Sequence, residues 1–157
     1  MAVTVGQPAP EFTLHETPDR QRSLHDYRGR NVVLVFFPGA FTGVCTTEMC
    51  ALRDRIDQFG ALNAEVIGIT VDAPFVQQAW KAANNVAYTF LSDYNREVVN
   101  AYDVAFPGLA GMQGYVAANR AVTVIDGGGV VRYHWVAGSL GVEPDYEEIR
   151  AAVAALA

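Results

Sequence analysis

Lysine is almost missing from this chain: Lys81 is the only one, and every other basic residue is arginine. With 11 basic residues against 17 acidic ones the net charge is -6, so there is no cationic excess to neutralise a phosphate backbone, and nucleic acid is not expected as a partner. Long apolar runs are missing as well. No uninterrupted hydrophobic stretch approaches the roughly 20 residues of a membrane span, so no membrane partner is expected. The start, Met-Ala-Val-Thr-Val-Gly-Gln-Pro, lacks the charged n-region and apolar h-region of a signal peptide. Cysteine is scarce, with Cys45 and Cys50 alone, far from a disulfide scaffold. The cytoplasm is the expected compartment, and in a reducing cytosol a close cysteine pair points to catalysis or redox sensing. The histidines are His15, His25 and His134, none near that pair in sequence, which leaves a four-ligand zinc site short of ligands. No metal and no cofactor is expected.

What is present is a patterned chain. At 157 residues it is expected to form one domain over 1–157, without repeats or a linker, burying roughly two-thirds of its unfolded surface. Val3 to Leu14 reads as a lead-in and short strand, followed by a Pro18-Asp19 turn. Val32 to Phe37 is an unalternating apolar run, as expected of a strand buried on both faces. Thr42 is a candidate N-cap for a helix running to about Phe59, in which Cys45, Met49, Leu52, Ile56 and Phe59 form one apolar stripe. A second buried strand spans Glu65 to Val71. Helices follow at Ala73 to Asn84 and Asn95 to Tyr102, with a short strand at Tyr88 to Leu91 between them. Phe106 to Asn119 reads as a long loop. Ala121 to Ile125 and Val130 to Val136 flank Asp126-Gly-Gly-Gly129, a hairpin turn that leads into no helix and so makes no phosphate cradle. Asp145 caps a last helix. The order β-α-β-α-β-α, hairpin, α implies an α/β fold with a mixed central sheet flanked by helices.

The most informative stretch is Pro38-Gly-Ala-Phe-Thr-Gly-Val-Cys45, between the first buried strand and the helix. Chemistry in such sheets gathers at the carboxyl ends of strands. A thiol at the helix start meets unpaired N–H groups and the positive end of the dipole, both of which favour a thiolate. Cys45 is therefore either a small packed hydrophobe on the apolar stripe or a nucleophile. Thr42 is either a plain N-cap or a hydroxyl within reach of the sulfur. By itself Arg120 reads as a surface charge, and Glu48 as a complement to the helix dipole or a neighbour that raises the thiol pKa.

The pattern Pro38-x-x-x-Thr42-x-x-Cys45 after a Val-Phe-Phe strand resembles the active-site signature of the peroxiredoxins. The likeness extends through Pro8-Ala-Pro-Glu-Phe-Thr-Leu14, Leu91-Ser-Asp93 and Ala121-Val-Thr-Val-Ile-Asp126, and so covers essentially the whole chain. It is strongest to the bacterial alkyl hydroperoxide reductase E type and reaches the bacterioferritin comigratory (Q) group. The resemblance implies a thioredoxin-like fold and a thiol peroxidase acting on hydrogen peroxide and organic hydroperoxides. It makes Cys45 the peroxidatic residue that becomes a sulfenic acid, Thr42 the residue orienting sulfur and peroxide, Pro38 a shield from water, and Arg120 the cation that steadies thiolate and departing oxygen. It also suggests a Glu48–Arg120 bond. A thioredoxin-, glutaredoxin- or small-thiol reductant is implied as partner, and relatives of this type are monomers or homodimers. Apolar Phe41 and the loop from Phe106 to Met112 suit organic hydroperoxides.

Cys50 lies five residues beyond Cys45, about 140° around a regular helix, which puts it beside Asp54 and Asp57 on the polar face. Some Q-type relatives carry a resolving cysteine at this offset; many E-type ones have none. An i, i+5 pair exceeds the roughly 7 Å that a disulfide tolerates, so resolution by Cys50 requires the helix start to unwind, and an outside thiol is the alternative. A thioredoxin-like disulfide reductase would want Cys-x-x-Cys where this chain has four residues between the cysteines.

Overall fold

Two strands set the architecture by splitting their side chains between two cores. Val32, Leu34 and Phe36 of β3 (Asn31–Phe36) enter one apolar cluster; Val33 and Val35, with Phe37 just beyond, enter the other. The computed structural model describes residues 3–156, with the side chains of Val44 and Cys45 outside the description. β3 pairs in parallel with β4 (Ala64–Thr70), and β4 in parallel with β5 (Thr89–Ser92). Around these lie the antiparallel hairpins of β1 (Thr13–Thr17) with β2 (Arg20–Ser23) and β8 (Ala121–Ile125) with β9 (Val131–Val136). The sheet order is β2-β1-β5-β4-β3-β8-β9, which with its helices is the mixed sheet of a thioredoxin-like fold.

Four helices cover one face: α1 (Gly43–Asp54), α2 (Ile56–Ala61), α3 (Pro74–Asn84) and α5 (Tyr146–Ala154). The opposite face is covered by α4 (Glu97–Ala101) and by the turn at Leu24–Tyr27. Met49 and Leu52 of α1 are wholly buried, each stabilising by about 2 kcal/mol, which is more than a single polar tie supplies. Packing therefore fixes the second half of α1. Beneath it an aromatic group gathers around Phe90, with Trp80 stacked at 5.3 Å and Phe37 edge-on at 5.5 Å. Gly68 makes room for this: a Cβ there would lie 2.9 Å from the Phe90 ring.

Three sequence expectations need correction. The helix expected from Thr42 to about Phe59 breaks at Arg55, whose N–H turns back to Leu52 O; α2 then folds against β4 and α5 and buries Phe59. The strand after Pro18-Asp19, β2, was not anticipated, because Arg20 to Ser23 is polar throughout and none of it is fully buried. The expected loop from Phe106 to Asn119 contains most of a small hairpin of β6 (Ala105–Pro107) and β7 (Val116–Ala118), whose three-residue strands are too short to leave a pattern. Asp145 caps α5 as expected, its carboxylate accepting from Glu147 N and Glu148 N.

Candidate active site

Parallel pairing carries β3 to the carboxyl edge of the sheet, where Phe37 N still donates to Ile69 O at 3.1 Å. Pro38 has no N–H to continue the ladder, and the chain leaves the sheet there. Ala40 N donates to Asp72 Oδ2 at 2.8 Å, pinning the departing loop to the end of β4. Phe41 adopts a left-handed φ of 64°, uncommon for a bulky residue, and its ring is turned to solvent.

Thr42 is the N-cap by backbone, with Thr46 N donating to its carbonyl at 2.9 Å. Its side chain does not cap, contrary to expectation. The hydroxyl donates to Gly39 O at 2.7 Å, so its only hydrogen is committed and it presents lone pairs outward. The first-turn N–H groups lack intrahelical partners in any helix, and the Thr42 side chain takes none of them, so the positive end of α1 favours an anion. Cys45 is the third residue of that turn; the expectations about its sulfur fall outside the described residues.

Arg120 sits in the short link between β7 and β8 and is 2 % exposed, not the surface charge its sequence setting alone suggested. Asn119 Oδ1 accepts from its backbone N–H at 2.8 Å. Its guanidinium donates through Nε to Leu140 O at 3.1 Å and through Nη1 to Glu48 Oε1 at 2.8 Å. Glu48 is in the second turn of α1 and fully buried, so it does not complement the dipole at the surface. Among the described residues its Oε2 has no partner. Burial pushes its pKa up, the Arg120 charge and hydrogen bond pull it down, and Glu143 adds repulsion, leaving it at about 7. Burial thus holds the Glu48 carboxyl well above the usual carboxylate range even with the guanidinium beside it.

That balance has a consequence for stability. The folded pKa lies above the unfolded value of 4.5, so the folded state holds the proton longer. The contribution is fully present below about pH 4.5 and is lost as pH rises through about 7, by roughly 3 kcal/mol at most. Urea unfolding at several pH values should show the wild type losing stability relative to Glu48→Gln across this window; parallel curves would sink the assignment.

Pro38, Thr42 and Arg120 converge on one cleft of about 370 Å3, completed by Gly43, Leu109, Ala110, Leu140 and Gly141. Three distant segments thus meet at the start of α1. The apolar wall comes from the tip of the β6–β7 hairpin and the loop after β9; Phe41 and Met112 are not among the lining residues. Cys50 is half-buried where α1 meets the end of α3, its Sγ donating to Asn84 Oδ1 at 3.9 Å, rather than on the open polar face with Asp54 and Asp57. His134 shares a hydrogen bond of 2.8 Å with Thr123 and has a structural place in β9. Sequence reasoning missed Asp72, Leu140 and Asn84. An acid directly after a buried strand was the one available signal, pointing to Asp72.

The AhpC/TSA family matches residues 5–134. Alkyl hydroperoxide reductase E of Mycobacterium tuberculosis is 37 % identical over 134 residues, covering 83 % of this chain and 84 % of that protein. A Synechocystis sp. protein with a peroxiredoxin name is 40 % identical over 139 residues, and the chain spans 66 % of its length. Among solved structures, peroxidoxin BcpB of Mycobacterium tuberculosis superposes with a TM-score of 0.85 at 25 % identity, over 99 % of both chains.

Proposed function

Because the chain belongs to the AhpC/TSA family, and so to the thiol peroxidases of peroxiredoxin type, we propose that Cys45 is the nucleophile that reduces hydroperoxides in the cleft beside Arg120. The observation that carries this is the convergence of Pro38, Thr42 and Arg120 on the first turn of α1, the turn that contains Cys45. The thiolate attacks the distal peroxide oxygen; the S–O bond forms as the O–O bond breaks, and the electron pair leaves on the proximal oxygen. That oxygen takes a proton and departs as water or an alcohol, while sulfur is left as a sulfenic acid.

Each neighbour has a chemical task. The lone pairs of Thr42 accept a hydrogen bond from the peroxide O–H and orient it. Arg120 lies where negative charge develops, held by Glu48 and Leu140 O so that no reorganisation is needed during the reaction. Pro38 supplies an apolar edge without a competing N–H. Leu109, Ala110 and Leu140 offer contact area to an alkyl hydroperoxide.

The sulfenic acid is next resolved by Cys50 as an intramolecular disulfide, and a thioredoxin-, glutaredoxin- or small-thiol reductant restores both thiols. The protein works as one domain, in the cytoplasm, as a monomer or homodimer. Capture of the sulfenic acid by an external thiol is the second reading. It is favoured by the Cys50 Sγ–Asn84 contact, which holds the second thiol away from the helix start. Mass and thiol titration after one equivalent of peroxide separate the two. The expected product has lost two hydrogens and both titratable thiols, and Cys50→Ser stops at a sulfenate. A wild type that keeps Cys50 free beside a lasting sulfenate would decide for the external thiol.

A further inference from the structure

The first turn of α1 and the rest of the helix are fastened differently. From Glu48 onward the ties are several: Arg120 Nη1 donates to Glu48 Oε1 at 2.8 Å, the Tyr88 hydroxyl to Met49 O at 2.8 Å, Cys50 Sγ to Asn84 Oδ1 at 3.9 Å, and Arg53 Nη1 to Asn84 O at 2.6 Å. Met49 and Leu52 add full burial. Between Gly43 and Thr47, the described side chains make one hydrogen bond to another element, in which Trp80 Nε1 of α3 donates to Thr46 Oγ1 at 3.2 Å. Thr47 only donates back to Gly43 O within the helix. Trp80 is fixed, 1 % exposed and stacked on Phe90.

We propose that the Thr46 hydroxyl is a positioning residue for resolution: its bond to Trp80 latches the first turn of α1, and release of the latch brings Cys45 to a stationary Cys50. The inference rests on the reading of Cys50 as the resolving thiol. In an intact helix residues five apart have Cα atoms about 8.7 Å from one another, beyond the roughly 7 Å limit, so one partner must travel. Cys50 belongs to the part of the helix held by packing and by Asn84; Cys45 belongs to the first turn, whose described side chains make one hydrogen bond to another element. In the step itself the Cys50 sulfur attacks the sulfenic sulfur, the S–S bond forms and the S–O bond breaks. Hydroxide departs with the proton given up by the Cys50 thiol, as water, and no outside oxidant is needed.

The direction of the effect follows from the buried donor. With the turn wound, Thr46 is what satisfies the Trp80 N–H; with the turn unwound, water reaches that donor. Removing the acceptor therefore penalises the wound state and favours release. Valine keeps the shape and branching of threonine without the hydroxyl.

The test uses the full chain in a Trp135→Phe background, where Trp80 is the remaining tryptophan and reports its own surroundings. Mixing with hydrogen peroxide should give a fast phase that depends on peroxide concentration and a slower one that does not. Thr46→Val should leave the fast phase unchanged and speed the slow one about fivefold. Thr46→Ser should return it to the parent rate. The peroxide concentration that half-inactivates the enzyme by over-oxidation should rise in the valine variant only. If Cys50→Ser removes the slow phase but Thr46→Val does not speed it, the latch is wrong and Cys50 keeps its role. If the slow phase survives Cys50→Ser, both ideas fall.

Discussion

Cys45→Ser is expected to lose the rapid reaction with hydrogen peroxide and with alkyl hydroperoxides alike, down to the floor of a stopped-flow assay. Enzymes stripped of their nucleophile lose on the order of a millionfold in rate, because the neighbours that remain have nothing to activate. Serine keeps the size of the side chain, but its hydroxyl does not ionise near neutral pH, and the N–H groups of the first turn cannot close so large a gap. Cys50→Ser should retain the rapid reaction, which separates the two thiols. Alkylation of Cys45 followed against pH gives a second reading: the thiol should titrate below the ordinary value of about 8.5. A Cys45→Ser protein that still reduced peroxide at the parent rate would move the chemistry to another residue altogether.

How much of this was legible in the chain depends on what each residue answers to. β3 and β4 declared themselves because strands buried on both faces must be apolar at every position, and α3 because Pro74 opens it and the Asn84-Asn85 pair closes it with Asn85 at a left-handed φ. The hairpin of β6 and β7 was hidden, since three residues a side carry no period to read. The same holds at the site. Pro38, Thr42 and Cys45 lie in one run and announce a strand-turn-helix corner. Arg120 is 75 residues beyond Cys45, and only the antiparallel return of β8 beside β3 brings it to the same edge. Its burial could not be read from its neighbours, because Glu48 and Leu140, which accept from its guanidinium, lie in distant parts of the chain. The side-chain bond of Thr42 was misjudged for a related reason. An N-cap preference is local, whereas the free carbonyl of Gly39 that draws its hydroxyl away exists only once the loop is pinned by Asp72.

Arg120→Met should then slow peroxide reduction by about 10²- to 10³-fold, the usual effect of removing one preorganised group from developing negative charge. Stability could confuse the result, since breaking a buried pair by deleting one partner commonly costs about 3–5 kcal/mol. Here the loss should be smaller. Glu48 already sits at about 7, and without the guanidinium both influences that lower its pKa vanish, so it takes up a proton instead of remaining a buried unpaired charge. Arg120→Lys keeps the charge but not the fork that reaches Glu48 and Leu140 O together, so it should recover part of the rate while the Thr42 side of the cleft is untouched. The deciding variant is Arg120→Met combined with Glu48→Gln. If Arg120 acts on the reacting oxygen, the double variant regains stability in urea unfolding yet stays as slow as Arg120→Met alone. If it serves only as counter-ion to Glu48, neutralising that carboxylate restores the rate as well, and the guanidinium leaves the catalytic scheme.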